Sequence, residues 1–108
     1  MDELLNKVRL FREERDWDKF HSPKNLAIAL MVEAAELAEH FQWLTEEESR
    51  ALPAEELQKV KDEIGDVLIY LVNIADKLGL DPVRAAHDKV VKNIEKYPQE
   101  SGRDISKK

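Results

Sequence analysis

The sequence predicts an all-α protein with the architecture of a small four-helix bundle that is completed by oligomerisation. Its 108 residues include only 3 Gly and 4 Pro, which is too few turn residues for an all-β fold. Apolar residues recur three and four positions apart in several separate stretches, as they do along one face of a helix. Ser22-Pro23 and Asp81-Pro82 are typical helix starts, with a polar N-cap followed by proline at the first helical position.

The predicted elements follow one another with short connections. A capping box is expected at Thr45 and Glu48, and a helix stop at Gly79, where glycine adopts the left-handed conformation most easily. Residues 1–98 are expected to form one domain, followed by a disordered tail over residues 99–108. The predicted helices are 2–15, 23–42, 46–51, 54–78 and one that begins at 82.

The second predicted helix is apolar nearly all round. Leu26, Leu30 and Leu37 share one face, whereas Ile28 and Val32 cover another. A helix with apolar surface on two sides is normally buried on both. A bundle of 108 residues cannot bury both sides alone, so we expect a homo-oligomer.

Composition excludes several classes of function. The formal net charge of −6 argues against a protein that binds duplex nucleic acid through its phosphates. The chain has no Cys, which excludes disulfides, zinc–thiolate sites and thiol nucleophiles. No apolar run approaches the roughly 18 residues that span a membrane. The start of the chain does not resemble a signal peptide, so we expect a cytoplasmic protein with no membrane partner.

Two acidic pairs interrupt stretches that otherwise have the pattern of core. Glu33 and Glu36 lie on the second helix, and Glu63 and Asp66 lie on the long helix after it. A spacing of three residues places both carboxylates of a pair on one face. Helical wheels place Glu33 and Glu63 at the edges of apolar faces, where an isolated charge is costly. They are therefore candidate metal ligands, with buried salt bridges as the alternative.

The residue types in the cluster indicate the kind of metal. Di-iron carboxylate bundles use Glu-x-x-His pairs, and none occurs near these acids. An all-carboxylate site suits Mg²⁺, with Mn²⁺ as a substitute, and the chemistry of phosphate groups. A carboxylate that does not bind the metal can act as general base. Glu39, one turn beyond Glu36, is a candidate for that role.

Other residues allow both a functional and a structural interpretation. Trp17 and Phe20 either plug the end of the bundle or form a stacking wall for a flat ligand. Lys89 and Asn93 lie together on the last helix, where they either contact an anionic ligand or form an ordinary solvated pair. Gly65, between two acids on a helix, indicates close approach of another backbone or of a ligand.

The acidic motif and its flanks resemble one family. Glu33-x-x-Glu36, 26 residues and then Glu63-x-x-Asp66 is similar to the signature of the MazG-like all-α nucleotide pyrophosphohydrolases. The flanking segments resemble the dCTP pyrophosphatase branch of that superfamily, and the similarity covers residues 8–98. These segments are FREERDW at 11–17, FHSPKNL at 20–26, ELAEHFQW at 36–43 and DVLIYL at 66–71.

The resemblance implies Mg²⁺-dependent hydrolysis of a deoxynucleoside triphosphate, most simply dCTP or a 5-modified dCTP, to the monophosphate and pyrophosphate. It implies metal ligands at the four acids, phosphate contacts from Lys89 and Asn93, and a homotetramer built as a dimer of dimers. The residues that the resemblance assigns to the base pocket or its neighbourhood are Trp17, His21, Asn25, Trp43 and Tyr70.

Two positions depart from the animal enzymes of this branch. Val8 stands where those enzymes have a His that helps to line the base pocket, and Ile94 stands where they have an Arg. Two alternatives therefore stay open: the same chemistry on dUTP or another non-canonical nucleotide, and a non-catalytic helical adaptor. An adaptor would carry its acids on a solvated face.

Overall fold

The computed structural model describes residues 1–17, 19 and 21–97. Within these residues the protein is all-α, with no strand, which confirms the predicted fold class. The predicted helices agree with the observed ones to within three residues at each end, and the predicted tail, 99–108, lies outside the described residues. The helices are α1 (Asp2–Glu14), α2 (Pro23–Glu39), α3 (Glu46–Ser49), α4 (Ala54–Lys77) and α5 (Pro82–Lys96).

The helix ends follow the local sequence signals. The Ser22 hydroxyl accepts a hydrogen bond from the backbone N–H of Asn25 at 3.1 Å, with Pro23 in the first helical turn. The Asp81 carboxylate caps α5 in the same way. The predicted capping box at Thr45 is present in both directions, and Gly79 has φ = +71°. These ends are therefore set by residues within a few positions of each boundary.

Helix α4 is the centre of the fold, since α1, α2 and α5 all pack against it. The α2–α4 contact is the most extensive, while α5 touches α4 only lightly. The buried apolar side chains come from α1, α2 and α4. They are Val8, Leu26, Val60, Val72 and Ala75.

Much of the apolar surface stays uncovered in a single chain. On α2, Leu26 is buried, but Ile28 and Val32 on the other face are about half exposed. Apolar residues recur three and four positions apart along the whole of α4, which predicts a continuous core face, and this expectation is wrong for the single chain. Leu57 and Ile64, which belong to that face, are 56% and 53% exposed. The reason is that α2 packs beside the acidic edge of α4 and leaves part of the apolar face uncovered.

The last helix shows the same pattern. The helical spacing of Val83, Ala86, Val90 and Ile94 predicts a core face on α5. None of the described residues of α5 is buried in the single chain. An apolar cavity of about 610 Å³ lies between α4 and α5. Exposed apolar faces of this extent on several helices are typical of surfaces that a partner covers. None of the described helices is both long enough and apolar enough to cross a lipid bilayer.

Candidate active site

Three carboxylates converge where α2 faces α4. Glu33 and Glu36 come from adjacent turns of α2, and Glu63 comes from α4. One oxygen from each side chain lies within 4.8 Å of the others. The spacing of three residues on α2 allows this arrangement, because it presents both α2 side chains to the same neighbouring helix.

The cluster carries more negative charge than its surroundings offset. Burial raises the pKa of Glu33 to about 7, and the neighbouring Glu36, Glu63 and Asp66 add to the increase. One carboxylate oxygen of Glu33 and one of Glu63 are buried without a hydrogen-bond partner among the described residues. Buried oxygens without donors are normally satisfied by a proton or a cation. The donor set, all carboxylate oxygen, fits Mg²⁺ or Mn²⁺.

Asp66 and Glu39 stand apart from the three acids. Asp66 is exposed and is not part of the 4.8 Å cluster, but its charge contributes to the raised pKa of Glu33. Glu39 is an exposed residue at the C-terminal end of α2 and also lies outside the cluster. The structure therefore brings together three of the four predicted metal ligands directly, with the fourth one turn away along α4.

A cavity of about 480 Å³ lies beside the cluster, between α1 and α4. This volume is within the range of small-ligand sites. Trp17 and His21, from the connection after α1, close one end of it, and Tyr70 and Asp66 line it from α4. The apolar part of its wall comes from Leu4, Val8, Phe11 and Ile69.

The aromatic wall is held by contacts within the chain. The ring of Trp17 meets the ring of Phe11 edge-on with centroids 5.4 Å apart, and the ring of His21 is 6.1 Å from Trp17. The Trp17 backbone N–H donates to the carbonyl of Arg12 at 3.1 Å. Asp16, just before it, has φ = +53°, a conformation that Asp tolerates better than most residues and that redirects the chain after α1. The connection thus presents its aromatic residue to the cavity.

Tyr70 links the cavity to the acids. It lines the cavity, and its pKa is raised by burial first and then by the charges of Glu33, Asp66 and Glu36. The cavity therefore lies close to the cluster through Asp66 and Tyr70, although none of the three clustered acids lines it. A ligand with an anionic group at one end and a flat ring at the other would match both.

Four of the predicted substrate-binding residues do not line this cavity within one chain. Trp43 follows α2 and is 87% exposed. Asn25 lies in the first turn of α2 and is exposed. On α5, Lys89 is exposed and Asn93 is half-buried. None of the four is among the lining residues.

Sequence reasoning missed three polar residues of the cavity wall, the exposed Lys7 and the buried Arg12 and Asn73. Arg12 and Asn73 have exposed fractions of 7% and 5%. A signal for Asn73 was available, since it follows Asp66 by seven residues and Tyr70 by three, and so shares their face of α4. Arg12 gave no such signal, because its burial depends on the approach of α4.

Known proteins resemble this chain over most of its length. The MazG-like family model matches residues 28–108. Mouse dCTP pyrophosphatase 1 is 43% identical over 90 residues, which is 82% of this chain and 53% of that protein. Human dCTP pyrophosphatase 1 is 41% identical over 100 residues, which is 91% of this chain and 59% of that protein. The chain thus spans little more than half the length of these curated relatives.

A solved structure agrees with the sequence matches. The crystal structure of a pyrophosphatase from Archaeoglobus fulgidus superposes with a TM-score of 0.81 at 43% identity. The superposition covers 92% of this chain and 93% of that one, so the whole helical arrangement is shared. With the acidic cluster between α2 and α4, the family match and this structural similarity agree, and the chain belongs to the MazG-like family.

Proposed function

We propose that this protein hydrolyses a deoxynucleoside triphosphate, dCTP or a 5-modified dCTP, to the monophosphate and pyrophosphate in the presence of Mg²⁺. The observation that carries the proposal is the closeness of a three-carboxylate cluster to an aromatic-walled cavity, with Asp66 and Tyr70 of the cavity wall near enough to the cluster to interact electrostatically with Glu33. The names of the mouse and human relatives support both the reaction and the base. Control of the nucleotide pool is the corresponding role, and a cytoplasmic location fits a chain without Cys.

The acids have the first task in this mechanism. Glu33, Glu36, Glu63 and Asp66 would hold the metal. When bound, Mg²⁺ would offset the charge of the phosphates and favour ionisation of a water molecule. An acid that is left free of the metal accepts the proton of the attacking water, and Glu39, which lies outside the cluster, is the candidate for this base. Hydrolysis breaks one phosphoanhydride bond and yields pyrophosphate and the monophosphate.

The cavity has the second task, which is to position the nucleoside. Trp17 and His21 present flat rings on which a base can stack. Tyr70 lines the cavity and lies near the acids, and on the α1 side of the wall the apolar Val8 stands beside the cationic Lys7 and Arg12. Because that wall lacks the His of the animal enzymes, dUTP or another non-canonical nucleotide is the nearest alternative substrate.

We also propose a homotetramer, built as a dimer of dimers. The uncovered apolar faces of α2, α4 and α5 support it, since a soluble monomer rarely exposes so much contiguous apolar surface. Trp43, Lys89 and Asn93, which do not reach the cavity of their own chain, would complete the base and phosphate contacts near subunit boundaries. Light scattering should show four chains for the wild type and a smaller assembly for Ile28→Glu. A monomeric wild type would contradict this assembly.

The reaction is tested by incubating the protein with Mg²⁺ and a panel of canonical and modified nucleoside triphosphates. Pyrophosphate and orthophosphate are assayed separately. We expect pyrophosphate from dCTP or its 5-substituted forms, no orthophosphate, and no turnover in EDTA. Glu63→Ala should abolish turnover without unfolding the protein. Glu47→Ala, the same change at an exposed position on α3, serves as the matched control.

Each outcome has a distinct meaning. Pyrophosphate from another nucleotide would retain the chemistry and change the base preference. Retained turnover in Glu63→Ala would refute the site. No turnover of any nucleotide, together with no effect of EDTA on stability, would favour a helical adaptor. The position of the three acids, between two helices and not on a solvated face, speaks against that last reading.

A further inference from the structure

A polar network joins α1 to α4 beside the cavity. The Arg12 guanidinium donates through Nη1 to Oδ1 of Asn73 at 2.8 Å and through Nη2 to Oδ2 of Asp76 at 3.0 Å. Asp76 also accepts hydrogen bonds from Arg9, with Nε 3.1 Å from both carboxylate oxygens. Hydrogen bonds from Arg9, joined by those from Arg12, hold the pKa of Asp76 down at about 2. The carboxylate therefore stays ionised at neutral pH and fixes Arg12 in place.

The network fixes which end of the Asn73 carboxamide faces Arg12. A guanidinium has only donors, so the atom that it meets must be the amide oxygen. With that oxygen occupied, the NH₂ group is the end that remains for a ligand. It makes no side-chain hydrogen bond to any other residue in the described part of the chain. The buried side chain of Asn73 thus offers the cavity a donor and not an acceptor.

The position of Asn73 along α4 matches the base end of a nucleotide. Asp66, Tyr70 and Asn73 share one face of the helix and all line the cavity. Seven residues of helix separate Asp66 from Asn73, a distance of about 10 Å along the axis. A nucleotide with its phosphates at the acids would extend its sugar and base in this direction.

We propose that Asn73 is a specificity residue that donates a hydrogen bond to an acceptor on the edge of the base. Arg12, held by Asp76, is the positioning residue that sets the orientation of the amide. The inference rests on the proposed function and adds to it the chemical feature of the base that Asn73 recognises. The feature is a carbonyl oxygen or an unprotonated ring nitrogen, which cytosine presents side by side as O2 and N3.

A purely structural role would make different predictions. If the network only locks α1 onto α4, its loss lowers stability and weakens all substrates alike. If Asn73 reads the base, its loss matters only for substrates that carry the acceptor. Substrate analogues therefore separate the two roles, because they change the ligand without changing the fold.

The experiment compares kcat/KM for dCTP, its 3-deaza analogue and an analogue that lacks the 2-carbonyl group. Asn73→Leu keeps the number of side-chain heavy atoms and the branch at Cγ and removes the donor. Asn73→Asp keeps a partner for Arg12 but presents an acceptor in place of the donor. Asn6→Leu, at an exposed position on α1, is the matched control. Affinity for dCMP and the corresponding analogue monophosphates, measured by calorimetry, gives a readout without turnover.

For dCTP we expect kcat/KM to fall about tenfold in Asn73→Leu, the scale of one lost hydrogen bond. The fall should be larger in Asn73→Asp, because two acceptors then face each other. Arg12→Lys, which keeps the charge beside Asp76, should show a smaller fall with the same substrate pattern. With the analogue that lacks the contacted acceptor, wild type and Asn73→Leu should differ by less than twofold.

Three results would overturn the inference. The first is an equal loss for dCTP and for both analogues. The second is no loss for dCTP, together with unchanged dCMP affinity, in Asn73→Leu. In either case the wild type still releases pyrophosphate, so the proposed function stands and only this inference fails. The third is a wild type that neither turns over any of the three triphosphates nor binds dCMP. That result would refute both the proposed function and the inference about Asn73.

Discussion

The acidic cluster should lower the stability of the metal-free protein at neutral pH, and Glu33 is the residue that reports it. In the folded chain its pKa is raised from 4.5 to about 7, chiefly by burial and then by Glu36 and Glu63. The full shift corresponds to at most about 3 kcal/mol of unfolding free energy. Because Glu33 is only half-buried, solvent screening reduces the expected value to about 2 kcal/mol.

The sign follows from proton binding. Below pH 4.5 the Glu33 carboxyl holds its proton in both the folded and the unfolded chain, so it makes no difference to stability. Between pH 4.5 and about 7 the unfolded chain loses this proton while the folded chain keeps it, and stability falls as the pH rises. Above that range the whole penalty is present. Glu33→Gln, which cannot ionise, should therefore be more stable than wild type at pH 8 by about 2 kcal/mol.

The assay is urea unfolding in EDTA at pH 5 and pH 8, at one fixed chain concentration because oligomerisation affects apparent stability. Wild type should lose stability between the two pH values, and Glu33→Gln should lose less. Glu47→Gln, the same change at an exposed position on α3, should follow the wild type. Equal slopes for wild type and Glu33→Gln would refute the reasoning, since Glu33 would then not titrate in this range.

Three further predictions concern the metal, the ion pair and the glycine. Mg²⁺ should raise the melting temperature of the wild type at pH 8 but not that of Glu63→Ala, as scanning calorimetry would show; an equal rise in both would place the metal elsewhere. Asp76 has its pKa lowered from 3.8 to about 2, mainly by Arg9, so its contribution is complete above pH 4 and is lost as the pH falls towards 2. Over that range the free energy of unfolding of Asp76→Asn should therefore fall by about 2 kcal/mol less than that of the wild type. Identical acid unfolding profiles for the two proteins would contradict this. A methyl group at Gly65 meets nothing within 4 Å in the chain, so Gly65→Ala should raise the free energy of unfolding by about 1 kcal/mol, as urea unfolding would show. If a partner subunit or the substrate lies against Gly65, assembly or turnover should fall instead.

The local features of the fold were predictable from the sequence. The caps at Ser22, Thr45 and Asp81 each depend on a side chain within three residues of the backbone group that it binds. The pairing of Glu33 with Glu36 depends only on the spacing of residues on a helix. The hypothesis that the two pairs converge came from placing each pair at the edge of an apolar face, and in the structure one carboxylate oxygen each of Glu33, Glu36 and Glu63 lies within 4.8 Å of the others.

Other features required the packing of helices that are distant in sequence. The wheel of α4 shows one long apolar face, but it does not show which part α2 covers and which part stays open in a single chain. Trp43 fits a base-pocket motif, yet it is 87% exposed and lies away from the cavity of its own chain. In the proposed assembly, Trp43 would lie near a subunit boundary.

The sequence by itself determined the helices, their ends and the two acidic pairs, because these depend on residues within one or two turns of each other. Only the tertiary structure decided that Arg12 and Asn73, 61 residues apart, meet at 2.8 Å beside the cavity. The sequence around a guanidinium or an amide on an amphipathic helix does not indicate which residue of another helix it will contact. Their roles arise from the packing of α1 against α4, two helices that are distant in sequence and that bury Val8 and Val72 as they come together with the rest of the fold.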